Sequence, residues 1–271
     1  MKLKSLIWTM GLKPKAREFA SRRITFHVEK IGEVTYAKWE HPADYFKAFD
    51  QSRIEELSTF IAPGDTVLDI GAHTGDYTVP FALAAGVNGC VLAFEPNPYA
   101  FKILEENASL NSDKTNIIPV NAAATEEDGP VEFSYSDPGF CNGGLFEGFS
   151  KWQHGHPYKL KVNGLRIAEW LDANHKAQMS KLSFIKIDTE GHELSIVRSL
   201  RGLIAKTKPT LHLEMFRRLP HDRRVELLLM IQSIGYIAHR AEGKHDLLLG
   251  IELNELNLSD WDSYDIIAVP R

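Results

Sequence analysis

VLDIGAHTG, residues 67–75, is an apolar strand that carries one acid, Asp69, and runs into a glycine turn. Glycine lets the backbone approach a ligand closely, and a helix that follows the turn offers free N–H groups. Gly71 and Gly75 are four residues apart, whereas a dinucleotide fingerprint reads G-x-G-x-x-G. An acid at this turn repels a pyrophosphate, so the stretch disfavours an NAD-dependent oxidoreductase and favours a cationic, amino-acid-bearing sulfonium cofactor.

The rest of the chain alternates between short apolar runs and helical patterns. Short apolar runs bounded by turn residues are typical of buried parallel strands, and they occupy Thr66–Ile70, Cys90–Phe94, Ile117–Val120, Phe184–Ile187, Thr210–Leu213 and Ile266–Val269. Apolar residues at helical spacing predict helices over Arg53–Phe60, Pro98–Leu110, Glu193–Ile204 and Arg223–Ile234. This alternation predicts an α/β fold with a mostly parallel sheet covered on both faces. Ligands of such sheets bind beyond the carboxyl ends of the strands.

Charge is distributed unevenly along the 271 residues. The net charge is −5, but seven bases and one acid give residues 1–25 a charge of +6, which leaves −11 for the rest. An acidic body disfavours a general nucleic-acid binder, because phosphate neutralisation needs clustered lysine and arginine. We therefore expect a basic N-terminal extension at residues 1–45 and one α/β domain at 46–271. No apolar run is long enough to span a bilayer, and the two cysteines suit reduced thiols, so we expect a cytoplasmic protein.

Further acids and polar groups follow the other predicted strands. Glu95 ends the second strand and can accept hydrogen bonds from both hydroxyls of a ribose, and Pro96 and Asn97 start the next helix. Asn121 can bond an adenine edge, and small Ala122 lets the ring approach. A polar residue in a turn without a ligand is the alternative interpretation of Asn121.

The fourth apolar run ends at Ile187, and in the segment IKIDTEGHE (185–193) the polar residues Asp188, Glu190, His192 and Glu193 follow it at once. Helix capping and the helix dipole explain Glu190 and Glu193, but they do not explain Asp188 at the strand end. Glu214 ends the fifth strand, and strand alternation puts it on the same face as His212.

Together these segments resemble the FkbM family of S-adenosylmethionine-dependent methyltransferases. The resemblance covers about residues 50–270 and rests on VLDIGAHTGDYT (67–78), FEPNP (94–98), VNAA (120–123), IKIDTEGHE (185–193), LHLE (211–214) and DIIAVP (265–270). It implies the Rossmann-like class I methyltransferase fold with a seven-stranded sheet. It also implies that S-adenosylmethionine is held by Asp69, Gly71, Ala72, His73, Thr74, Gly75, Glu95, Pro96, Asn97, Asn121, Ala122 and Asp188. Asp188 would lie beside the transferred methyl group.

Known members of the family methylate hydroxyl groups of sugars, polyketides and related small molecules, so the resemblance implies an O-methyltransferase that acts on a sugar or another small natural product and releases S-adenosylhomocysteine. A hydroxyl needs a destination for its proton, and the candidates for this base are Asp188 first, His192 second, then Glu190 and Glu214. His154 and His156 are outside candidates in a glycine- and aromatic-rich loop at residues 134–160. We expect this loop to border the acceptor site, between strands near Val131–Tyr135 and Tyr158–Val162.

Several alternatives remain open at this stage. Asp188 and Glu214 could share Mg²⁺, which prefers oxygen ligands, although we expect no metal. An RNA or N-methyltransferase would use the same cofactor site, and the seven bases between Arg201 and Arg224 give some support to RNA. A non-catalytic binding protein of the same fold is less favoured. The acceptor is expected to be a small molecule rather than a nucleic acid, and the chain could form a homo-oligomer.

Overall fold

A computed structural model describes residues 15–44, 48–135, 137, 139, 143–144, 158–242 and 247–271. The strands are β1 Ser21–Val28, β2 Gly32–Trp39, β3 Thr66–Ile70, β4 Cys90–Phe94, β5 Ile117–Val120, β6 Ala123–Ala124, β7 Gly129–Tyr135, β8 Gly143–Gly144, β9 Tyr158–Leu165, β10 Leu182–Ile187, β11 Thr210–Met215, β12 Tyr236–Ala241, β13 Leu249–Glu252 and β14 Tyr264–Pro270. The helices are α1 Gln51–Leu57, α2 Thr78–Ala85, α3 Pro98–Ser109, α4 Ile167–Asn174, α5 Lys176–Met179, α6 Glu193–Ser199, α7 Arg201–Thr207 and α8 His221–Ser233. None of these helices is long and apolar enough to cross a membrane.

The main sheet has the order β13-β12-β14-β11-β10-β3-β4-β5. Strands β11, β10, β3, β4 and β5 pair in parallel. The pairs made by β14 with β11 and β12, and by β13 with β12, are antiparallel. This is the Rossmann-like α/β fold that the sequence predicts, with one correction, because the sheet has eight strands rather than seven. The additional strand is β13, which pairs only with β12 at the edge and is mostly exposed.

The core lies on both faces of this sheet, which explains why its central strands are mostly apolar. In β3, Leu68 and Ile70 pack on one face with α4, α6 and α8, whereas Val67 packs on the opposite face with α1 and α2. All five residues of β3 are buried. Helices therefore cover both faces, as predicted. The helix predicted over Glu193–Ile204 is wrong in one respect, since the chain breaks it at Leu200 into α6 and α7.

The hairpin of β1 and β2 docks on the body of the domain through α3. Asn107 binds Ala37 in both directions, at 2.7 Å through its Oδ1 and 3.0 Å through its Nδ2. The Tyr36 ring is buried against the same core face as α1 and α2. Residues 21–39 thus share packing with the α/β domain, and the boundary expected at residue 45 stays a proposal.

A smaller sheet of order β6-β9-β7-β8 stands beside the main one. Strands β7 and β9 are antiparallel and contain the two strands predicted at the ends of the glycine- and aromatic-rich loop. Phe133 and Tyr135 of β7 are buried there. Most of residues 134–160, with His154 and His156, lies outside the described residues.

Candidate active site

The carboxyl ends of β3, β4 and β10 bring together the candidate site. Their register aligns Ile70 of β3 with Phe94 of β4 and Ile187 of β10. The residues that follow, Gly71, Glu95 and Asp188, therefore leave the sheet side by side. These three residues line one cavity of about 310 Å³, a size typical of small-molecule sites.

The turn after β3 requires glycine at its first position. Gly71 has a φ of +83°, which L-residues with a side chain rarely adopt. A Cβ at this position would lie 1.9 Å from the backbone oxygen of Asp188. The Asp188 amide donates to the carbonyl oxygen of Ile70 at 3.0 Å. The close approach of these two backbones places Asp188 directly beside the glycine turn.

Glu95 lies buried directly after β4 and holds the glycine turn through a hydrogen bond to its backbone. Its carboxylate oxygens accept the amide protons of His73 at 2.8 Å and Asn97 at 2.7 Å. Burial raises its pKa, against the opposing effect of His73 and the two amides. Each carboxylate oxygen has a second lone pair, so Glu95 can still accept hydrogen bonds from a bound diol.

Asp69 lies behind the turn and is not among the residues that line the cavity. It is fully buried, accepts a 2.6 Å hydrogen bond from Thr78 Oγ1, and lies 3.5 Å from Lys186 Nζ. Burial raises its pKa, and the Lys186 ammonium opposes that rise. Asp69 therefore supports the turn from inside, and its predicted contact with the cofactor stays a prediction.

Lys186 is one of the site residues that the sequence did not point to. It is buried, with its Nζ 3.5 Å from Asp69, 3.4 Å from Asp188 and within hydrogen-bond distance of the Gly71 carbonyl oxygen at 3.3 Å. Burial lowers its pKa, but the carboxylates of Asp188 and Asp69 outweigh that effect and raise it. Its signal in the sequence is a single charge inside the apolar run of β10.

Nine of the fifteen predicted catalytic and cofactor-binding residues line the cavity. It is lined by Gly71, His73, Glu95, Pro96, Asn97, Ala122, Asp188, Glu190 and His192. Its walls also include six residues that the sequence did not indicate as site residues: Asp44, Asp76, Tyr77, Phe133, Tyr135 and Lys186. Carboxylates outnumber cations among these lining groups, so the cavity favours a ligand that carries positive charge.

Other predicted contacts are not brought to this cavity. Ala72 and Thr74 are buried inside the turn, and Gly75 packs against Leu104. The Asn121 amide donates instead to the backbone oxygens of Glu95, at 2.8 Å, and Pro96. These residues shape the turn and the strand ends without facing the cavity.

The loop after β10 is held by Glu193 at the start of α6. One of its oxygens accepts from the Thr189 amide at 2.9 Å, the Thr189 hydroxyl at 3.1 Å and the Gly191 amide at 3.2 Å. Burial raises its pKa to about 7. Glu190 adopts a φ of +57° in this loop. Burial, and then repulsion from Asp188, raises the pKa of Glu190.

Glu214 lies in a second cavity of about 190 Å³ that shares Tyr77, Lys186 and Asp188 with the first. The two-carboxylate magnesium hypothesis gains no further ligands, because the described residues contain no cluster of three or more metal-ligating side chains.

The basic stretch that favoured RNA is partly structural. Arg224 is buried, and its guanidinium donates to five backbone oxygens, including those of Leu258 at 3.1 Å and Trp261 at 2.8 Å. At least one of the seven bases is therefore turned inward and is not available to a phosphate backbone.

Comparison with known proteins identifies the family. The methyltransferase FkbM domain matches residues 69–238, which is more than half of the chain. The chain belongs to the FkbM methyltransferase family. Its domain is therefore that of an S-adenosylmethionine-dependent methyltransferase.

Individual relatives of this FkbM domain share little sequence identity with it. The hexuronic acid methyltransferase AglP of Haloferax volcanii is 26% identical over 145 residues, which cover 52% of either chain. The chain thus spans about half the length of this relative. Among solved structures, FkbM of Methylobacillus flagellatus is 16% identical, covers 80% of this chain and 51% of its own, and has a TM-score of 0.45. An O-methyltransferase of Thermotoga maritima is 12% identical, covers 93% and 78%, and has a TM-score of 0.46.

Proposed function

We propose that this protein transfers a methyl group from S-adenosylmethionine to a hydroxyl group of a sugar or a similar small molecule. The observation that carries the proposal is the position of Glu95 and Asp188, which face one cavity from neighbouring strand ends. Its resemblance to a hexuronic acid methyltransferase, at 26% identity over half of the chain, supports a sugar-type acceptor.

The residues of the first cavity fit this cofactor. Asp44, Asp76, Glu95 and Asp188 give the walls a negative character, which suits a ligand with sulfonium and ammonium charges. Glu95 would accept the ribose hydroxyls, and small Ala122 leaves room for a flat ring. When bound, S-adenosylmethionine supplies an electrophilic methyl group on a positively charged sulfur and leaves as the neutral thioether.

Asp188 is the base that we favour, because it stands where the two cavities meet and its side chain is 41% exposed. As the acceptor oxygen forms its new bond to carbon and the carbon–sulfur bond breaks, Asp188 would take the hydroxyl proton. Lys186 would hold the carboxylate in place at 3.4 Å. His192 is the second candidate, since it lines the same cavity.

The proposal is tested first by calorimetric titration with S-adenosylhomocysteine, and then by incubation with labelled S-adenosylmethionine and a panel of sugars. Mass spectrometry should find one added methyl group on an acceptor oxygen. Asp188→Asn keeps the shape of the side chain and removes the base, so turnover should fall about 10²–10⁴-fold. Asp172→Asn is the matched control, because Asp172 is exposed on α4. Unchanged turnover in Asp188→Asn would refute the role of Asp188, and absence of cofactor binding would refute the function.

A further inference from the structure

The second cavity opens at the ends of β11, β12 and β14, next to the candidate cofactor site. Its walls include His212 and Glu214 of β11, Arg240 of β12 and Asp265 of β14. Asp188 belongs to the walls of both cavities. A molecule in the second cavity would therefore meet the favoured base directly.

Three residues that line this cavity each have one buried polar atom without a hydrogen-bond partner among the described residues. The atoms are Glu214 Oε2, His212 Nδ1 and Arg240 Nε. His212 is 97% buried, with its other ring nitrogen 3.6 Å from Asp265. Buried polar groups in proteins are nearly always hydrogen-bonded, so three unpartnered atoms around one cavity indicate a polar ligand.

Arg240 differs from Lys186, the other cation of this cavity. Lys186 lies within 3.5 Å of two carboxylates, whereas Arg240 forms no ion pair with any described residue. The Arg240 guanidinium instead lies 4.4 Å from the centre of the Trp261 ring, which orients its planar fork. A guanidinium that is held by an aromatic ring and forms no ion pair with a described residue suits bidentate recognition of a carboxylate.

Glu214 does not oppose an acidic ligand here. Burial, reinforced by repulsion from Asp188, raises its pKa to about 9, so the side chain is protonated at neutral pH. In that form it offers one donor and one acceptor, and Ser263 Oγ lies 3.4 Å from its other oxygen. Such a group bonds a hydroxyl and leaves the charge of Arg240 for the anion.

We propose that the second cavity is the acceptor site and that it selects a hydroxylated carboxylic acid of about sugar size. Arg240 binds the carboxylate, and Glu214 and His212 bind hydroxyl groups. The assignment rests on the proposed function for its catalytic meaning, since the bound hydroxyl would lie beside Asp188. The binding preference itself does not depend on turnover.

The test compares D-glucuronate with D-glucose, which differ by one carboxylate, in binding to the full chain saturated with S-adenosylhomocysteine. We expect the wild-type protein to bind glucuronate at least about tenfold more tightly, because of the charge-assisted bidentate contact. Arg240→Met should remove this difference and leave glucose binding unchanged. Arg223→Met is the matched control, because Arg223 is an exposed arginine of α8 paired with Glu226.

Arg240→Lys serves as a second variant in case the methionine variant does not fold. It keeps the charge but loses the fork, so it should retain only part of the preference. Equal or undetectable binding of both sugars, or a preference that survives in Arg240→Met, would overturn the inference. Discrimination without methyl transfer would contradict the proposed function alone, and methyl transfer without discrimination would contradict the acceptor assignment alone.

Discussion

Gly71→Ala tests the link between backbone geometry and the candidate site. A Cβ at Gly71 would lie 1.9 Å from the Asp188 carbonyl oxygen, whereas such contacts are essentially never shorter than 3.0 Å. The ends of β3 and β10 must therefore separate by about 1.1 Å. Misplacement of reacting groups by about 1 Å reduces rates by ~10²-fold. We expect a loss of turnover of this size, together with weaker binding of S-adenosylhomocysteine.

Gly64→Ala is the matched control for this variant. Gly64 has a φ of +93°, close to the +83° of Gly71, but nothing lies within 4 Å of its missing Cβ. Both variants carry the strain of a left-handed alanine, about 1–2 kcal/mol, and only Gly71→Ala adds overpacking of about 1–3 kcal/mol. Thermal unfolding and calorimetric titration measure the two effects. Equal loss of stability in both variants, with normal cofactor binding, would refute the reasoning.

Three further predictions concern the buried polar groups. Lys186→Met removes the cation that pairs with Asp69 and Asp188, so the free energy of unfolding, measured by urea denaturation, should fall by about 3–5 kcal/mol. A smaller loss of stability than in Thr78→Val would contradict this prediction. Thr78→Val deletes the 2.6 Å hydrogen bond to Asp69 and should lower stability by about 1–3 kcal/mol, whereas Thr78→Ser should restore most of it. Burial raises the folded-state pKa of Glu214 to about 9. The contribution of its protonated side chain to the free energy of unfolding is therefore complete below about pH 4.5 and is lost as pH rises to about 9. The unfolding temperature of Glu214→Gln should therefore rise relative to that of the wild type across that pH range. A difference between the two unfolding temperatures that does not change with pH would count against a buried, protonated Glu214.

The strand ends of the cofactor cavity could be predicted because buried parallel strands leave a simple pattern. Each is a continuous apolar run, and consecutive runs end at one edge of the sheet. Glu95 and Asp188 follow such runs, and both face the cavity. The glycine at position 71 was equally predictable, since its backbone conformation excludes other residues.

The environment of Asp69 could not be predicted in the same way. Its partner Lys186 is adjacent only because β10 pairs with β3, in a register that aligns the two residues. Strand order across more than a hundred residues is not encoded in local spacing. The same reason applies to Glu214 and Arg240, which face one cavity although β14 lies between their strands.

Lys186 explains how several acids coexist at one edge of the sheet. Asp69 and Asp188 both lie within 3.5 Å of its ammonium group, and without it their repulsion would favour protonation of one of them. Asp69 can then remain buried and hydrogen-bonded to Thr78, while Asp188 keeps an exposed carboxylate at the junction of the two cavities. The acids near this edge therefore fall into two kinds: Asp69 is buried and paired with Lys186, whereas Asp188 is accessible. This division gives a cationic cofactor a negative surface to bind without leaving an unpaired charge in the core.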